Sequence, residues 1–478
     1  MTPVAGSAVA EPVESLEQPV NTRSPASAKL DRRIAPVCPI APARGSGLST
    51  WERILGPVTP AALDPRSRRV RVALPIVLAM LSMLGPFSID TPFPAFAQMQ
   101  RDFGVGSAEM QLVVTAYLAA FAVMSIFHGP LSDAIGRRPV ILASVAVYVV
   151  ASIGAAFAPD LGVLLAFRVL QGLSAGGAAI VSRTVIRDLF DGQQAQVLMS
   201  RVALIFALGP AIAPIIGGLV LQLGPWRWIF AFMAIFGVVL IAATVLILPE
   251  SHPPERRVPM RPGAVLEGLG VVARRASFHR LAWAMTLTFA AQFLYIGGAA
   301  IFLVDLLGKG ELDFWVLFVP MIGSMMLGSW ISGRSAGRLT ARRLVSAGYT
   351  ISVLGGVVGL LLALSPLGDR LPWAVVGVSL IALGNGMTYP NLQLLLLDLF
   401  PDRRGAVMSG ATFITLAFNA IVAVAVTPLV GVSTLGFAVA AMVLVGAGQL
   451  CWSWYCAVED RDTEVAEHPE ELEPTDLM

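Results

Sequence analysis

Lysine is almost absent from this 478-residue chain: Lys29 and Lys309 are the only two, and every other cation is arginine. Charge of either sign is sparse, at 13% of residues, against about 25% in an ordinary soluble protein. The three cysteines, Cys38, Cys451 and Cys456, make no framework for a small secreted fold. Cys451 and Cys456 lie in an apolar run and read as packing residues. His128, His252, His279 and His468 are dispersed, with no H-E-x-x-H and no Cys/His metal spacing. A G-x-x-x-x-G-K-[ST] loop is also missing, since Lys309 precedes Gly310 and Lys29 precedes Leu30. That excludes a nucleotide-binding loop of this kind for primary pumping. No catalytic constellation is present, so the expectation is a protein that is not an enzyme, has no cofactor and binds no nucleic acid.

What fills the chain is apolar sequence. Hydrophobic residues make up 56% and the mean hydropathy is +0.75, with the few charges bunched between long apolar runs. Twelve spans are read, at about 72–98, 107–128, 139–158, 161–185, 197–222, 227–248, 281–304, 313–333, 344–365, 372–396, 406–430 and 434–456. Runs of about 20 residues suit helices that cross a bilayer. The expected fold is an all-α integral membrane protein of twelve transmembrane helices in two pseudo-symmetric six-helix halves. Residues 1–70, rich in Pro, Ala and Ser, have no apolar core or signal-peptide h-region and are expected to be a disordered cytoplasmic tail. The halves are placed at 71–248 and 281–456, with 249–280 as a cytoplasmic connector and 457–478 as an acidic cytoplasmic tail.

The arginines set the topology. Alternate ends of the spans carry Arg66, Arg68, Arg69 and Arg71, then Arg137 and Arg138, Arg183 and Arg187, and the connector arginines 256, 257, 261, 274 and 275. The second half adds Arg334, Arg338, Arg342, Arg343, Arg403 and Arg404, whereas the other side has little beyond Arg101, Arg227, Lys309 and Arg370. This bias places both termini in the cytoplasm; the expected location is the cell (inner) membrane.

Between spans 2 and 3 lies Gly129-Pro130-Leu131-Ser132-Asp133-Ala134-Ile135-Gly136-Arg137-Arg138, with an echo at Gly333–Arg338 followed by Arg342-Arg343. One such turn in each half suggests a duplicated protein whose halves move against each other. The first turn resembles the G-x-L-x-D-x-x-G-R-R/K signature of the major facilitator superfamily. Ser88-Ile89-Asp90-Thr91-Pro92-Phe93-Pro94 resembles the S-T-D-x-Y-L-P segment of the bicyclomycin/chloramphenicol-resistance type of drug:proton antiporter. Arg168-Val169-Leu170-Gln171-Gly172 is similar to the fourth-helix R-x-x-Q-G signature, and Arg187-Asp188-Leu189-Phe190 to its continuation. Gly209–Gly218, with Pro210, Pro214, Gly217 and Gly218, resembles the fifth-helix antiporter motif, and Trp226–Phe230 the start of the sixth. The second half is similar chiefly at Tyr389-Pro390-Asn391. Two departures stand out: Pro92 replaces the family's Tyr, and Met124-Ser125 replaces a common Gly-Gln.

Asp90 and Arg168 are charges inside apolar spans, where an unpaired charge is costly. Counting at 1.5 Å per residue puts them about 12 and 10 Å from the same membrane face, so they are candidate ion-pair partners. One reading is a structural pair. The other, favoured by the resemblance, is a proton-coupling carboxylate that releases Arg168 or substrate on protonation. Asp133 and Asp188 both reach the arginine-rich surface, where Arg137, Arg138 and Arg187 allow a network that closes one conformation. Gly129 and Gly136 are read as tight-turn and close-approach residues. In helix 5, Pro210 and Pro214 free carbonyls while Gly217 and Gly218 allow another backbone near. A Ser324/Gly328/Ser332 stripe in helix 8 is an available partner. Tyr117, Gln292, Tyr295, Asn385, Asn391 and Asn419 are candidates for the substrate cavity or for interhelical hydrogen bonds. The mostly apolar surroundings suit small lipophilic or amphipathic compounds.

The expected function is export of small organic compounds or drugs by a monomeric transporter in the lipid bilayer. Protons are the exchanged ion, and the proton gradient is the energy source for alternating access. Rival readings are a facilitator-type importer or metabolite exporter on the same fold, and a membrane sensor or scaffold. The last would be supported by a soluble signalling domain, which neither 1–65 nor 457–478 contains.

Overall fold

The structure is a computed structural model that describes residues 68–190, 192–335, 338–400 and 403–467. Residues 1–67 of the expected 1–70 tail, the tip of the echo turn at 336–337 and the last residues from 468 lie outside the described residues. All regular elements among the described residues are helical, as a chain with no water to meet its backbone polar groups requires. In chain order they are α1 (Arg68–Asp90), a 3₁₀ turn (Phe93–Ala95), α2 (Phe96–Phe103), α3 (Ser107–Met110), α4 (Leu112–Ile135), α5 (Arg137–Ala156), α6 (Leu161–Leu189), α7 (Gly192–Leu221) and α8 (Arg227–Ile247). A 3₁₀ turn (Pro254–Arg256) and α9 (Pro262–Ala273) follow, then α10 (Ala276–Gly297) and a π-helical stretch (Ile301–Leu306). The rest comprises α11 (Trp315–Ser335), α12 (Ala341–Ala363), α13 (Val376–Asp398), α14 (Arg404–Ile421), a second π stretch (Val422–Val426), α15 (Thr427–Val430) and α16 (Thr434–Glu467).

Nine helical segments among the described residues are long and apolar enough to cross a membrane. Three expected spans are not among them. Spans 7 and 10 are α10 and α13, whose polar residues, Gln292, Asn385 and Asn391 among them, dilute the apolar runs. Span 5 is α7, whose side chains are described without interruption only from Leu208, and Leu208–Leu221 is apolar helix. The protein is therefore an all-α, multi-spanning membrane protein. The connector is partly ordered, since α9 packs along α14 and touches α4.

Local chemistry sets the helix ends. Asp160 caps α6 by accepting from the Val163 N–H at 2.9 Å, and Thr340 caps α12 through the Arg343 N–H at 3.3 Å. Gly104 ends α2 at a φ of 67°, a left-handed conformation open to glycine. Helices α1 and α4–α8 pack mainly on one another, as do α10–α14 and α16. The two groups meet where α4 lies along α14 and α7 along α11. Three contacts join the groups at the end opposite Gly136. The Ser107 hydroxyl donates to Asp305 at 3.1 Å, Thr115 Oγ1 reaches Ala420 O at 3.4 Å, and Gly218 lies against the Glu311 carbonyl.

Candidate functional site

The first site surrounds the end of α1. Arg168, on α6, is fully buried. Its Nε donates to Val113 O at 3.0 Å, and one terminal nitrogen donates to Ser88 O at 3.1 Å and to Gln171 Oε1 at 2.8 Å. The guanidinium carbon sits 4.5 Å over the ring of Tyr117, a distance suited to a cation–π contact. Gln171 passes the chain on to Ser152 at 2.7 Å, and Ser152 donates to Tyr148 O at 2.8 Å. The Tyr148 and Ser88 hydroxyls share a 2.6 Å hydrogen bond, while Tyr117 donates to Gly85 O at 3.1 Å. Gly172 is what lets α4 come this close, because a Cβ there would lie 2.2 Å from Tyr117 O.

Asp90, the last residue of α1, is only 2% exposed. It lies within electrostatic reach of Tyr117. The expected ion pair is not formed: among the described residues the ion pairs are Arg137–Asp133, Arg137–Asp188 and Arg227–Asp102. Matching depth put Asp90 and Arg168 at one level, but depth says nothing about facing. Arg168 instead takes backbone carbonyls and Gln171. Tyr148 and Ser152 escaped the sequence reading, although two polar residues four apart in an apolar span were a visible signal.

The second site is the turn between α4 and α5. It was expected to run over Gly129–Arg138, yet α4 continues to Ile135 and α5 starts at Arg137. Gly136 alone makes the connection, at φ 112° and ψ 155°, a conformation that only glycine adopts without strain. Gly129 is a correction: it is helical, and a Cβ there would meet nothing within 4 Å. Arg137 binds Asp133 one turn back and Asp188 at the end of α6, at 3.0 Å for the latter. The Arg138 guanidinium donates to Val245 O at 2.9 Å, and the exposed Arg187 forms no ion pair among the described residues.

Glu250, which follows α8, completes this turn and was missed. Its carboxylate accepts the Arg137 and Arg138 backbone N–H groups at 3.0 and 3.3 Å, and the His252 N–H at 2.9 Å. It therefore caps α5 from the segment after α8, where the helix N-terminus favours an anion. Ser251 adds a bond to Asp188 at 2.9 Å, and Val258 N donates to Asp133 O at 3.2 Å. A lone Glu at a span end reads as ordinary topology, so sequence gave it no weight.

Helix α7 runs unbroken through Pro210 and Pro214. A Cβ on Gly217 would sit 2.1 Å from Thr91 O, and one on Gly218 2.6 Å from Glu311 O. The expected Ser324/Gly328/Ser332 partner stripe faces α13 instead. A Cβ on Gly328 would strike Leu383 O at 2.0 Å, and Ser332 accepts from Asn391 at 2.8 Å.

Among the cavity candidates, Asn385 donates to Gln292 Oε1 at 2.7 Å, and Gln292 reaches the Met325 sulfur at 3.6 Å. Asn385 Oδ1 and Asn419 Oδ1 are buried without a partner. Asn391 is satisfied by Ser332 and by Met387 O. Tyr295 packs in an aromatic cluster with Phe302 and Phe437, at ring distances of 5.0 and 5.2 Å. Tyr117 belongs to the Arg168 site. The structure thus brings Gln292 and Asn385 together but does not gather the six residues. No group of three or more His, Cys, Asp or Glu able to hold a metal occurs among the described residues.

Known proteins share this architecture. The chain is 29% identical over 367 residues to YdgK, an uncharacterized MFS-type transporter of Bacillus subtilis, covering 76% of this chain and 89% of that protein. It is 27% identical over 347 residues to a bicyclomycin resistance protein homolog of Haemophilus influenzae, covering 72% and 86%. Its fold resembles that of a bacterial homolog of the human lysosomal transporter Spinster, crystallised inward-facing and unoccupied. That likeness has a TM-score of 0.64 at 14% identity, covering 81% of this chain and 97% of that one. Residues 78–424 match the Major Facilitator Superfamily, and with the helical architecture and the motif sites above, the chain belongs to that family of membrane transporters.

Proposed function

We propose that this transporter exports small lipophilic or amphipathic organic compounds in exchange for protons. It works as a monomer of twelve spans in two six-helix halves, with both termini on the cytoplasmic side of the cell membrane. The observation that carries the reading is Asp90: a carboxylate 2% exposed, at the end of α1, with no ion-pair partner among the described residues. Proton exchange needs a group that is protonated facing one side and deprotonated facing the other. A carboxyl group held by neither an arginine nor a lysine can do this, whereas Arg168 stays charged throughout. The bicyclomycin-resistance relative supports a drug-like cargo, and the mostly apolar composition of the spans supports an amphipathic one. The Asp133–Arg137–Asp188–Glu250 network is read as the gate-side lock.

The test is proton release from purified protein on adding a compound chosen from a growth-inhibition panel. Asp90→Asn abolishes release and leaves binding partly intact, and Asp90→Glu retains release with an altered pH profile. Equal release from wild type and Asp90→Asn removes Asp90 from the mechanism.

A further inference from the structure

The connector between the two groups of helices is more than a tether. Its helix α9 has 12 residues and one charged side chain, Glu267, and at about 18 Å it is too short to cross a bilayer. One stripe of it meets protein. Val265, Gly268, Leu269 and Val272 follow the i, i+3, i+4, i+7 spacing of a single helix face, and Val272 is buried. A Cβ on Gly268 would meet Ala406 at 3.9 Å, and one on Gly410 would meet Leu269 at 3.5 Å and Phe278 at 3.2 Å. Away from that stripe the surface stays apolar: Leu266 is 54% exposed and Val271 37%.

The level at which α9 lies is fixed by what it touches. Ala406 and Gly410 belong to the first two turns of α14, in a segment able to cross a membrane, and Phe278 to the first turn of α10. Gly410 is about 9 Å along α14 from Arg404. Helices that lie in a membrane surface bury their apolar side about 5–10 Å into the boundary between headgroups and acyl chains. Arginines surround the same surface. Arg261 stands before α9, Arg274 and Arg275 after it, and Arg403 and Arg404 where α14 begins. All five are exposed, and none enters an ion pair among the described residues. Topology alone accounts for arginines in a connector. It does not account for an exposed leucine and valine among them, which water penalises and an acyl-chain boundary does not.

We propose that α9 is a membrane-surface helix. Its uncovered side lies in the cytoplasmic leaflet, and the surrounding arginines recognise the phosphate groups of anionic lipids. The inference rests on the topology stated above, which puts 249–280 on the cytoplasmic side. Because α9 packs on α14 and also touches α4, the docked helix lies where the two groups of helices meet.

The experiment uses the full-length transporter in phosphatidylcholine nanodiscs. Cys38→Ala, Cys451→Ala and Cys456→Ala remove the native thiols, and Leu266→Cys carries a fluorescent label. Brominated acyl chains quench a label that touches the bilayer. Brominated phosphatidylcholine quenches this one, and brominated phosphatidylglycerol does so at a lower mole fraction. A surface arginine contributes about fivefold to such a preference. Arg274→Gln with Arg275→Gln therefore raises the phosphatidylglycerol midpoint about tenfold or more and leaves the phosphatidylcholine curve in place. Arg403→Gln with Arg404→Gln, on a different helix, raises it in the same direction. A label that neither lipid quenches overturns the proposal, since α9 then faces the cytosol or another protein. Midpoints that both arginine pairs leave unmoved overturn the recognition of anionic headgroups. A reporter fusion after residue 260 that reads outside, with quenching intact, topples the topology instead and leaves α9 against lipid.

Discussion

Glu250→Ala is the sharpest probe of the turn between α4 and α5. The carboxylate holds the first two N–H groups of α5, at 3.0 and 3.3 Å, and does so from the segment that follows α8. Removing a side-chain cap costs about 0.5–2 kcal/mol. Losing an anion at a helix N-terminus costs about 0.3–1 kcal/mol. The two estimates overlap because one carboxylate supplies both, so the expected loss is about 2 kcal/mol. Glu250→Gln keeps an acceptor and loses only the charge, at about 1 kcal/mol by the same figures. A unit of 150–250 residues loses about 2–4 °C of melting temperature per kcal/mol. Glu250→Ala then melts roughly 4–8 °C lower in detergent, and Glu250→Gln about half as far below wild type. Glu255→Gln, exposed in the neighbouring 3₁₀ turn, leaves the temperature unchanged and controls for net charge. A Glu250→Ala protein that melts with wild type refutes the capping role. Equal losses for Ala and Gln refute the claim that an acceptor oxygen matters.

Gly217→Ala drives a Cβ into Thr91 O at 2.1 Å, and overpacking of this kind costs about 1–3 kcal/mol; transport and thermal stability fall together. Gly270→Ala in α9, where nothing lies within 4 Å, is neutral or slightly stabilising. Asp133→Asn removes one of the two carboxylates on Arg137 and lowers transport in vesicles while inserting normally; unchanged transport would reduce the loop to a topology signal. Reporter fusions after residues 100, 158 and 308 report the outside, and those after 136, 260 and 340 the inside. A reversed pattern at 260 would sink the two-half arrangement.

The legible part of this protein was its chemistry per segment. Apolar runs announced helices, and the glycine and arginine spacing at 129–138 announced a special turn, because both depend on residues adjacent in sequence. Facing was not legible. Asp90 and Arg168 were read at one depth but form no ion pair, and Gly328 turns to α13 instead of α7 because helix rotation is settled by tertiary packing. Glu250 lies more than a hundred residues from the amides it caps, so no local pattern could point to it. The polar content of α10 and α13 cuts the other way: both were read as spans, yet neither is among the nine described segments long and apolar enough to cross a membrane.

The π-helical stretches Ile301–Leu306 and Val422–Val426 have a mechanical meaning. Each lodges a surplus residue in an otherwise regular coil, much as a dislocation lodges an extra row in a crystal. Such a defect can migrate, and every side chain it passes is re-aimed without the helix unravelling. Both defects lie in the second group of helices, beside the Ser107–Asp305 and Thr115–Ala420 contacts. The first group is riveted at its other end by Arg137 and Glu250, whereas Arg334 and Arg338 of the echo turn enter no ion pair among the described residues. The two groups are thus built differently: the ion-paired turn belongs to one, and the π-helical stretches, the places where a register shift could be absorbed, belong to the other.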